Sequence, residues 1–584
     1  MHLLTGSSQA NTFIFIFLHM PEKKWIYADK PSEDLTDSLA RTINISNELA
    51  GILVQRGIET YDQAKDFFRP SLSYIHDPFL MKDMDKAVDR IIQALNNNHR
   101  ILIYGDYDVD GTTSVAMVYG FLSAIYSNID YYIPDRYKEG YGISERGINL
   151  AVEHNVDLII SLDCGIKAVD RIKDAALAGI DFIVCDHHNP DPENLPPAFA
   201  VLDPKQADCN YPYKELSGCG VGFKLLQGFC LKTGRNIDEL WKYLDLLAIS
   251  IASDIVPITG ENRIFTYWGL RVLNKVCRPG IAGLVKVADI GEELDINKIL
   301  FGIAPRINAA GRIEHAGAAV ELLLGGDEEK VNAIARKIDE HNKIRRDLDS
   351  SITEEALEMI EAECRSTVLF NPDWHKGVVG IVASRCIERF YRPTIILTES
   401  NNLASGSARS ISGFDLYEAI EKCSDLLIQY GGHTHAAGLT LRVEDVGLFR
   451  QRFEEVTRSM LRDEDMIPAI EIDSVILLNK IDWKFFNIVK QMGPFGPGNL
   501  NPVFMSERVR DNGRGKLLKD KHLKLHLQQN EDGAVYEAIG FNMPDAYDRI
   551  KRGEAFDVCY SIEENTFNGK TTLQLNIKDI KFRD

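Results

Sequence analysis

The sequence predicts an α/β protein in several pieces: a parallel-sheet domain, a long helix leading to a second α/β domain, and a small OB-like β-barrel at the C-terminus. Three observations predict it. Between about residues 84 and 260, short apolar β-rich runs alternate with helix-like segments, the pattern of a parallel sheet. Residues 327–364 contain neither Gly nor Pro and are rich in Glu, Lys, Arg, Ala and Ile, as a long helix requires. From about residue 470 the apolar period drops to two, with Leu573, Leu575 and Ile577 alternating with polar residues behind the hairpin turn Asn568-Gly569.

In the first piece, Ala87 to Leu95 has the apolar spacing of a helix. The runs Ile101–Tyr104, Leu158–Leu162 and Phe182–Cys185 read as strands, and each ends in polar residues of one kind. The first leads into Gly105-Asp106-Tyr107-Asp108-Val109-Asp110-Gly111, the second into Asp163-Cys164-Gly165, the third into Asp186-His187-His188. Ligands of open α/β sheets bind outside the carboxyl ends of the strands, so these acids and histidines are expected at one edge. A further acid, Asp254, follows the apolar segment Leu244–Ala252 and precedes Val256-Pro257, which should end a helix. The long helix, about 55 Å if it runs through the whole Gly- and Pro-free stretch, is expected to link two domains. The second α/β domain, residues 366–460, carries glycine clusters at Trp374–Gly380, Gly406–Ser410 and Gly431–Gly438, which suggest backbone brought close to a ligand. In the barrel, residues 508–524 hold Arg508, Arg510, Arg514, Lys516, Lys519, Lys521 and Lys524 against Asp511 and Asp520, the composition of a strand binder.

Composition narrows the class. A chain of 584 residues suggests roughly three or four domains. No apolar run approaches the roughly 20 residues of a membrane span. Residues 1–19 read as a disordered extension or the product of an upstream start codon, with Met20 the more natural beginning, because the apolar patch Phe13–Leu18 is short and lacks a preceding Lys or Arg. The ten cysteines form no C-x-x-C pair, which argues against a zinc ribbon or a disulfide framework and fits a reducing, cytoplasmic setting. A formal charge of −20 disfavours a sequence-blind nucleic-acid coat protein. It leaves room for an enzyme whose clustered acids bind metal.

Carboxylates and an imidazole gathered at one sheet edge suit two divalent cations, Mn²⁺ or Mg²⁺. A pair of such ions activates water and steadies the leaving oxygen of a phosphodiester. Asp106, Asp108, Asp110, Asp163, His187 and Asp254 supply enough ligands for two ions, with Asp163 a plausible bridge, and His188 is free to orient the phosphate or protonate a leaving group. Each piece alone has a plainer reading: the acidic triplet as a solvated turn, the histidines as a structural pair. The triplet is not a calcium loop, since Met117 stands where the twelfth-position Glu would be. The combination at successive strand ends is what points to metal-dependent phosphodiester cleavage.

The motifs resemble the DHH phosphoesterase superfamily and, within it, the RecJ family of single-strand-specific exonucleases. The resemblance rests on Tyr104–Gly111, Glu139–Gly142, Asp186-His187-His188, Gly218–Gly222, Ala252–Pro257, Pro305–Arg312, Trp374–Arg385, Ser407–Ser410, Gly431–Gly438 and Pro494–Asn499, in that order, from about residue 75 to the C-terminus. It implies a 1–74 N-terminal extension with a small helical segment, a 75–325 DHH domain, a 326–365 linker helix, a 366–462 DHHA1 domain and a 463–584 OB-fold-like domain. It further implies processive 5′-to-3′ degradation of single-stranded DNA to mononucleotides in recombination and repair. Metal ligands are then expected at Asp108, Asp110, Asp163, His187 and Asp254, with His188 on the scissile phosphate and Asp106 supporting the cluster. Arg136, Arg306, Ser407 and Arg409 fit an anion pocket for the 5′ end, and Asn308, Arg312, His375, Arg385 and His433 would line the strand's path. Ion pairs with acids of the linker helix are the alternative for Arg306 and Arg312, and packing near glycine turns is the alternative for His375 and His433. A monomer is expected, with single-strand-binding protein and a RecQ-type helicase as family partners. One departure stands out: Leu202-Asp203-Pro204-Lys205 replaces a frequent Asn-Pro-Asn, and no role is assigned to it. The rivals are a superfamily enzyme for short oligonucleotides, cyclic dinucleotides or pyrophosphate, which is usually shorter and lacks the basic barrel, and a non-catalytic strand binder, which needs no such ligand set.

Overall fold

The computed structural model describes residues 23–291, 293–313, 315–530 and 533–583; the expected extension 1–19 and the start at Met20 lie outside them. The first body is built on a five-stranded sheet in the order Ile129–Tyr132, Ile101–Gly105, Leu158–Leu162, Asp181–Cys185, Ala200–Leu202. Every pairing in it is parallel. Alternate residues enter opposite cores. Ile101, Ile103, Leu158, Ile160 and Ile183 pack with helices Met84–Asn96, Val109–Leu122, Gly218–Thr233 and Leu244–Ser253. Leu102, Tyr104, Ile159, Phe182 and Val184 pack with Glu145–Glu153 and Val169–Leu177. Burial on both faces explains why the central strands read as continuous apolar runs. The two outermost strands escaped the sequence reading: Ile129–Tyr132 carries the polar Asp130, and Ala200–Leu202 is only three residues long. The chain leaves Ile101–Gly105 for one neighbour and returns to Leu158–Leu162 on the other side, so the crevice expected at such a switch lies where Asp106–Asp110 and Asp163 emerge.

The linking helix is Glu328–Glu358, 31 residues. At 1.5 Å per residue it spans roughly 46 Å. It is more than a charged rod. Val331, Ala335 and Ile338 join the core of the first body, whereas Ile352 and Ala356 pack with Val379, Val382, Ala383 and Cys386 of the second. One helix therefore fixes the two bodies against each other. The second body has a five-stranded sheet in the order Leu427–His433, Ala436–Arg442, Leu403–Arg409, Thr394–Ser400, Thr367–Phe370. Only the last two strands pair in parallel.

In the C-terminal body, Phe504–Asp511, Phe556–Phe567, Lys570–Phe582, Tyr536–Gly540 and His522–Gln528 pair in succession, and pairing of Arg510 with Gln528 and Asp511 with Leu527 closes the ring. The turn Asn568-Gly569 has φ of 50° and 75°, as its tight hairpin demands. The N-terminal segment, expected as an extension with a small helical segment, is helical from Glu33 and is part of this body. Strand Lys24–Tyr27 pairs in parallel with Ala469–Ile472. Leu39, Leu49, Ile52 and Leu53 share one core with Phe485, Phe504, Leu525 and Val558. The reason is amphipathicity: a short helical pair cannot bury its apolar face alone, and the ring offers it a continuous apolar partner.

Leu53 is fully buried at this junction. Leu53→Ala is expected to cost about 2–5 kcal/mol. Limited proteolysis should then cut first within the N-terminal helices and the ring together, leaving the two central bodies protected; cleavage confined to the N-terminal helices would contradict a shared core.

Candidate metal centre and strand groove

Each acid of the centre is placed by a local backbone device. Asp108 caps helix Val109–Leu122, its Oδ1 accepting the Gly111 N–H at 3.0 Å. Asp110, in the first turn of that helix, is gripped from the other side: its carboxylate accepts the Gly218 N–H at 2.6 Å, the Cys219 N–H at 2.9 Å and the Ser250 hydroxyl at 2.6 Å. The first two donors belong to the open N-terminus of helix Gly218–Thr233, where backbone N–H groups and the helix dipole favour negative charge. Gly218 is required there, because a Cβ would stand 2.6 Å from the Cβ of Asp163. Asp163 itself has a left-handed backbone, φ 60°, at the end of its strand. Asp254 caps the C-terminus of Leu244–Ser253 and is followed by Ile255 at φ 59°, a costly conformation for a β-branched residue.

These devices bring the predicted ligands together. His187 Nε2 lies 3.3 Å from Asp163 Oδ1, 3.5 Å from Asp254 Oδ2 and 3.8 Å from Asp110 Oδ2. Asp106, Asp108 and Asp163 form a second group whose oxygens all lie within 4.8 Å of one another, and Asp163 also joins His187 and His188 in a third. Burial and then the Asp108 charge push Asp110 up to about 6. Burial and neighbouring carboxylates likewise raise Asp106, Asp163 and Asp254 well above the usual carboxylate range. Burial, followed by the charge of His188, pushes His187 down to about 3, so its imidazole is neutral and able to ligate. His187 Nε2 and Asp254 Oδ2 are buried without a hydrogen-bond partner. Buried like charges beside an unpartnered neutral nitrogen fit hard divalent cations, which would remove the repulsion. Asp163 is common to two of the groups.

His188 is held differently. Its Nδ1 lies 2.7 Å from Asp186 Oδ1, and its Nε2 lies 3.2 Å from the Tyr141 hydroxyl. Burial opposes its charge, but the Asp186 hydrogen bond prevails and pushes it up to about 9. Asp186 also accepts from the backbone of His187 and Ile166, which fixes the whole turn. Asp186 and Tyr141, which lie within the sequence motifs but carry no expected role, are added by the structure as functional candidates.

A positive pocket faces the acids. Arg136 stacks on the Tyr107 ring at 4.7 Å. Arg409 Nη1 donates to Ser407 Oγ at 2.7 Å, and Arg312 Nη1 donates to the Gly377 carbonyl of the second body at 2.6 Å. Gly377 has no room for a side chain beside the Tyr137 hydroxyl, which donates in turn to the Arg312 carbonyl. Among the described residues none of Arg136, Arg312 and Arg409 pairs with a carboxylate. Burial and mutual repulsion push Arg312 down to about 9 and lower Arg409 as well. Asn308 and Arg312 line a cavity of about 160 Å³ with Ser253, Arg345 and Ile381. His375 packs edge-on against Tyr137 at 6.2 Å, and His433 lies near enough to Arg409 and His188 to feel both charges.

Residues 100–251 match the DHH family N-terminal domain, residues 363–459 the DHHA1 domain and residues 472–579 the RecJ OB domain. The chain is 40% identical over 558 residues to the single-stranded-DNA-specific exonuclease RecJ of Bacillus subtilis (strain 168), covering 94% of this chain and 70% of that relative. The chain belongs to the RecJ family. It is also 32% identical over 541 residues to RecJ of Haemophilus influenzae, covering 88% of this chain and 92% of that one. The crystal structure of RecJ in complex with Mn²⁺ from Thermus thermophilus superposes with a TM-score of 0.83 at 25% identity, covering 96% of this chain and 80% of that chain. Of the residues expected in a RecJ-type 5′ pocket, Arg306 takes the alternative expected for it, an ion pair with the linking helix. Arg306 does not stand free with Arg136 and Arg409: its guanidinium lies 2.8 Å from Asp339 of the linking helix and donates to the Gly302 carbonyl, so a carboxylate already neutralises it. Arg385 is likewise paired with Asp349 of that helix at 2.9 Å, although its side chain remains 39% exposed.

Gly218→Ala should weaken Mn²⁺ binding by roughly 10–100-fold, the scale for disturbing a ligand's support, as read by isothermal titration calorimetry; unchanged affinity would mean that Asp163 tolerates displacement. The raised acids also fix a sign for pH. In the metal-free protein the folded state holds protons more tightly than the unfolded chain, whose Asp residues titrate near ~3.9. Charging them therefore costs stability at neutral pH, and the cost falls as pH drops through the value of about 6 at Asp110. The rise in Tm on adding Mn²⁺ should accordingly be largest above that value and shrink below it; a rise that grows on acidification would contradict this.

Proposed function

We propose that the chain degrades single-stranded DNA from its 5′ end, releasing mononucleotides, with Asp108, Asp110, Asp163, His187 and Asp254 holding two divalent cations, Mn²⁺ or Mg²⁺. It is a single-stranded-DNA-specific exonuclease of the RecJ family. The observation that carries the reading is a buried acid–imidazole centre accompanied by arginines from both bodies, Arg136, Arg312 and Arg409, that among the described residues pair with no carboxylate, the two bodies being locked by the linking helix. Bound cations supply the positive charge that activates water and steadies the leaving oxygen.

The chain's own residues do the remaining work. Asp106 supports the centre from the strand end. Asp186 keeps His188 oriented and charged, so that its Nε2 edge donates to a phosphate oxygen or to the leaving oxygen. Arg136 and Arg409, with Ser407, bind the terminal 5′-phosphate, and a site that anchors an end measures one nucleotide to the cut. Asn308, Arg312, His375 and His433 line the approach, and Arg385 borders it. In this reading selectivity for a single strand is steric, with the linking helix holding the two bodies in a fixed relation. The basic ring at the C-terminus holds the trailing strand. The same proposal places the protein in the cytoplasm as a monomer, working in recombination and repair beside single-strand-binding protein and a RecQ-type helicase. No helix among the described residues is long and apolar enough to cross a membrane.

The test is digestion of one single-stranded DNA labelled at either end, with Mn²⁺ and with chelator. Mononucleotides should appear first from the 5′ end and only with metal. Asp163→Ala should abolish cutting while leaving strand binding intact. Normal turnover by that variant would remove Asp163 from the centre, and rapid cleavage of a dinucleotide with none of the long strand would move the protein to the small-substrate branch of the superfamily.

A further inference from the structure

The strand Ala200–Leu202 ends beside the histidine turn. Cys185 pairs with Leu202, and the Asp186 N–H donates to the Leu202 carbonyl at 3.0 Å. This strand therefore brings another strand end, Asp203-Pro204-Lys205, to the edge that carries Asp163 and His187. Asp203 is 0% exposed, and its Oδ1 accepts the Lys205 N–H at 2.7 Å, which fixes the direction in which the lysine leaves the turn. The Lys205 ammonium lies 3.7 Å from Glu215 Oε2, beyond hydrogen-bond distance. Glu215 stands two residues before Ser217, the cap of the helix that grips Asp110. The ammonium is near enough to His187 and Asp254 for its charge to act on both. A loosely held cation on a flexible stem thus sits at the rim of a centre whose own carboxylates repel a phosphate.

We propose that Lys205 is a phosphate-contacting residue of this exonuclease, its ammonium leaving Glu215 for a non-bridging oxygen of the phosphodiester at the acid centre. The proposal rests on the strand-degrading reading above. Lysine suits the task as a point charge that can swing, whereas the arginines of the opposite pocket are fixed by backbone and ring contacts. Glu215 then acts as a resting partner, which releases the lysine when a phosphate arrives.

Lys205→Met is expected to lower kcat on 5′-phosphorylated oligo-dT by roughly 100-fold, the scale for losing one donor to a developing oxyanion. With chelator present, so that nothing is cut, it should reduce the log–log salt slope of oligo-dT binding by about 0.7, the share of one phosphate on a single strand. Lys205→Arg should restore the slope, and Glu215→Gln should keep kcat at or above wild type. A folded Lys205→Met with kcat within about twofold of wild type and an unchanged slope overturns the proposal. So does a loss in Glu215→Gln as large as that in Lys205→Met, which would make the pair structural. Should Lys205→Met fail to fold, Lys205→Arg with a reduced slope and a melting temperature like wild type also overturns it. A wild-type protein that cuts no single strand would sink the strand-degrading reading instead, while the metal-free slope would still judge Lys205.

Discussion

Mutual repulsion among buried carboxylates is the constraint around which the first body is organised. Asp106, Asp110, Asp163 and Asp254 are drawn from separate elements into a volume with little water, where ionising any one raises the cost of ionising the next. A sheet with all its strands parallel makes this possible, since every carboxyl end opens on the same edge. The surrounding structure opposes the repulsion in part: the open N-terminus of Gly218–Thr233 supplies two N–H groups to Asp110, and Ser250 supplies a hydroxyl. The remainder is left for cations. The glycine at 218, the left-handed backbone at Asp163 and the strained Ile255 beside Asp254 are local costs accepted to keep these groups close.

A second balance of charge works across the groove. Arg136, Arg312 and Arg409 crowd one another as the acids do, and among the described residues they too lack partners of opposite sign. These arginines come from both bodies: Arg136 and Arg312 belong to the one that holds the acids, and Arg409 belongs to the other. The helix Glu328–Glu358 fixes Arg409 relative to the acids, because each of its halves is packed into a different core. Its acids also decide which arginines stay free: Asp339 and Asp349 take Arg306 and Arg385, and no described carboxylate reaches Arg409 in the same way.

The two histidines show how one turn yields opposite properties. His187 is kept neutral by burial and by the charge of His188, and His188, one residue later, is charged because Asp186 turns its carboxylate towards Nδ1. A neutral and a charged imidazole are therefore adjacent in sequence, and the difference comes from burial and from which neighbours each ring faces.

Much of the centre was legible in the sequence. The acids and His187 follow apolar runs whose length and β-rich composition announce parallel strands, and a parallel sheet has only one carboxyl edge on which to place them. The existence of the linking helix was legible because no Gly or Pro stands in residues 327–364, but its end was not, since the helix stops at Glu358 and Met359 caps it before the Gly- and Pro-free stretch runs out. The short edge strands Ile129–Tyr132 and Ala200–Leu202 were not, because edge pairing is imposed by the neighbouring strand and leaves little periodicity behind. Nor was the union of the N-terminal helices with the C-terminal ring, which joins residues more than 400 positions apart. Sequence by itself determined the chemistry available, the strand ends that carry it and the family of the fold, because those follow from residue type and local period. Only the tertiary structure decided which charges are spent on each other: Arg306 and Arg409 are the same type of residue, yet Arg306 lies against Asp339 and, among the described residues, Arg409 lies against no carboxylate, because pairing depends on which elements the fold packs side by side.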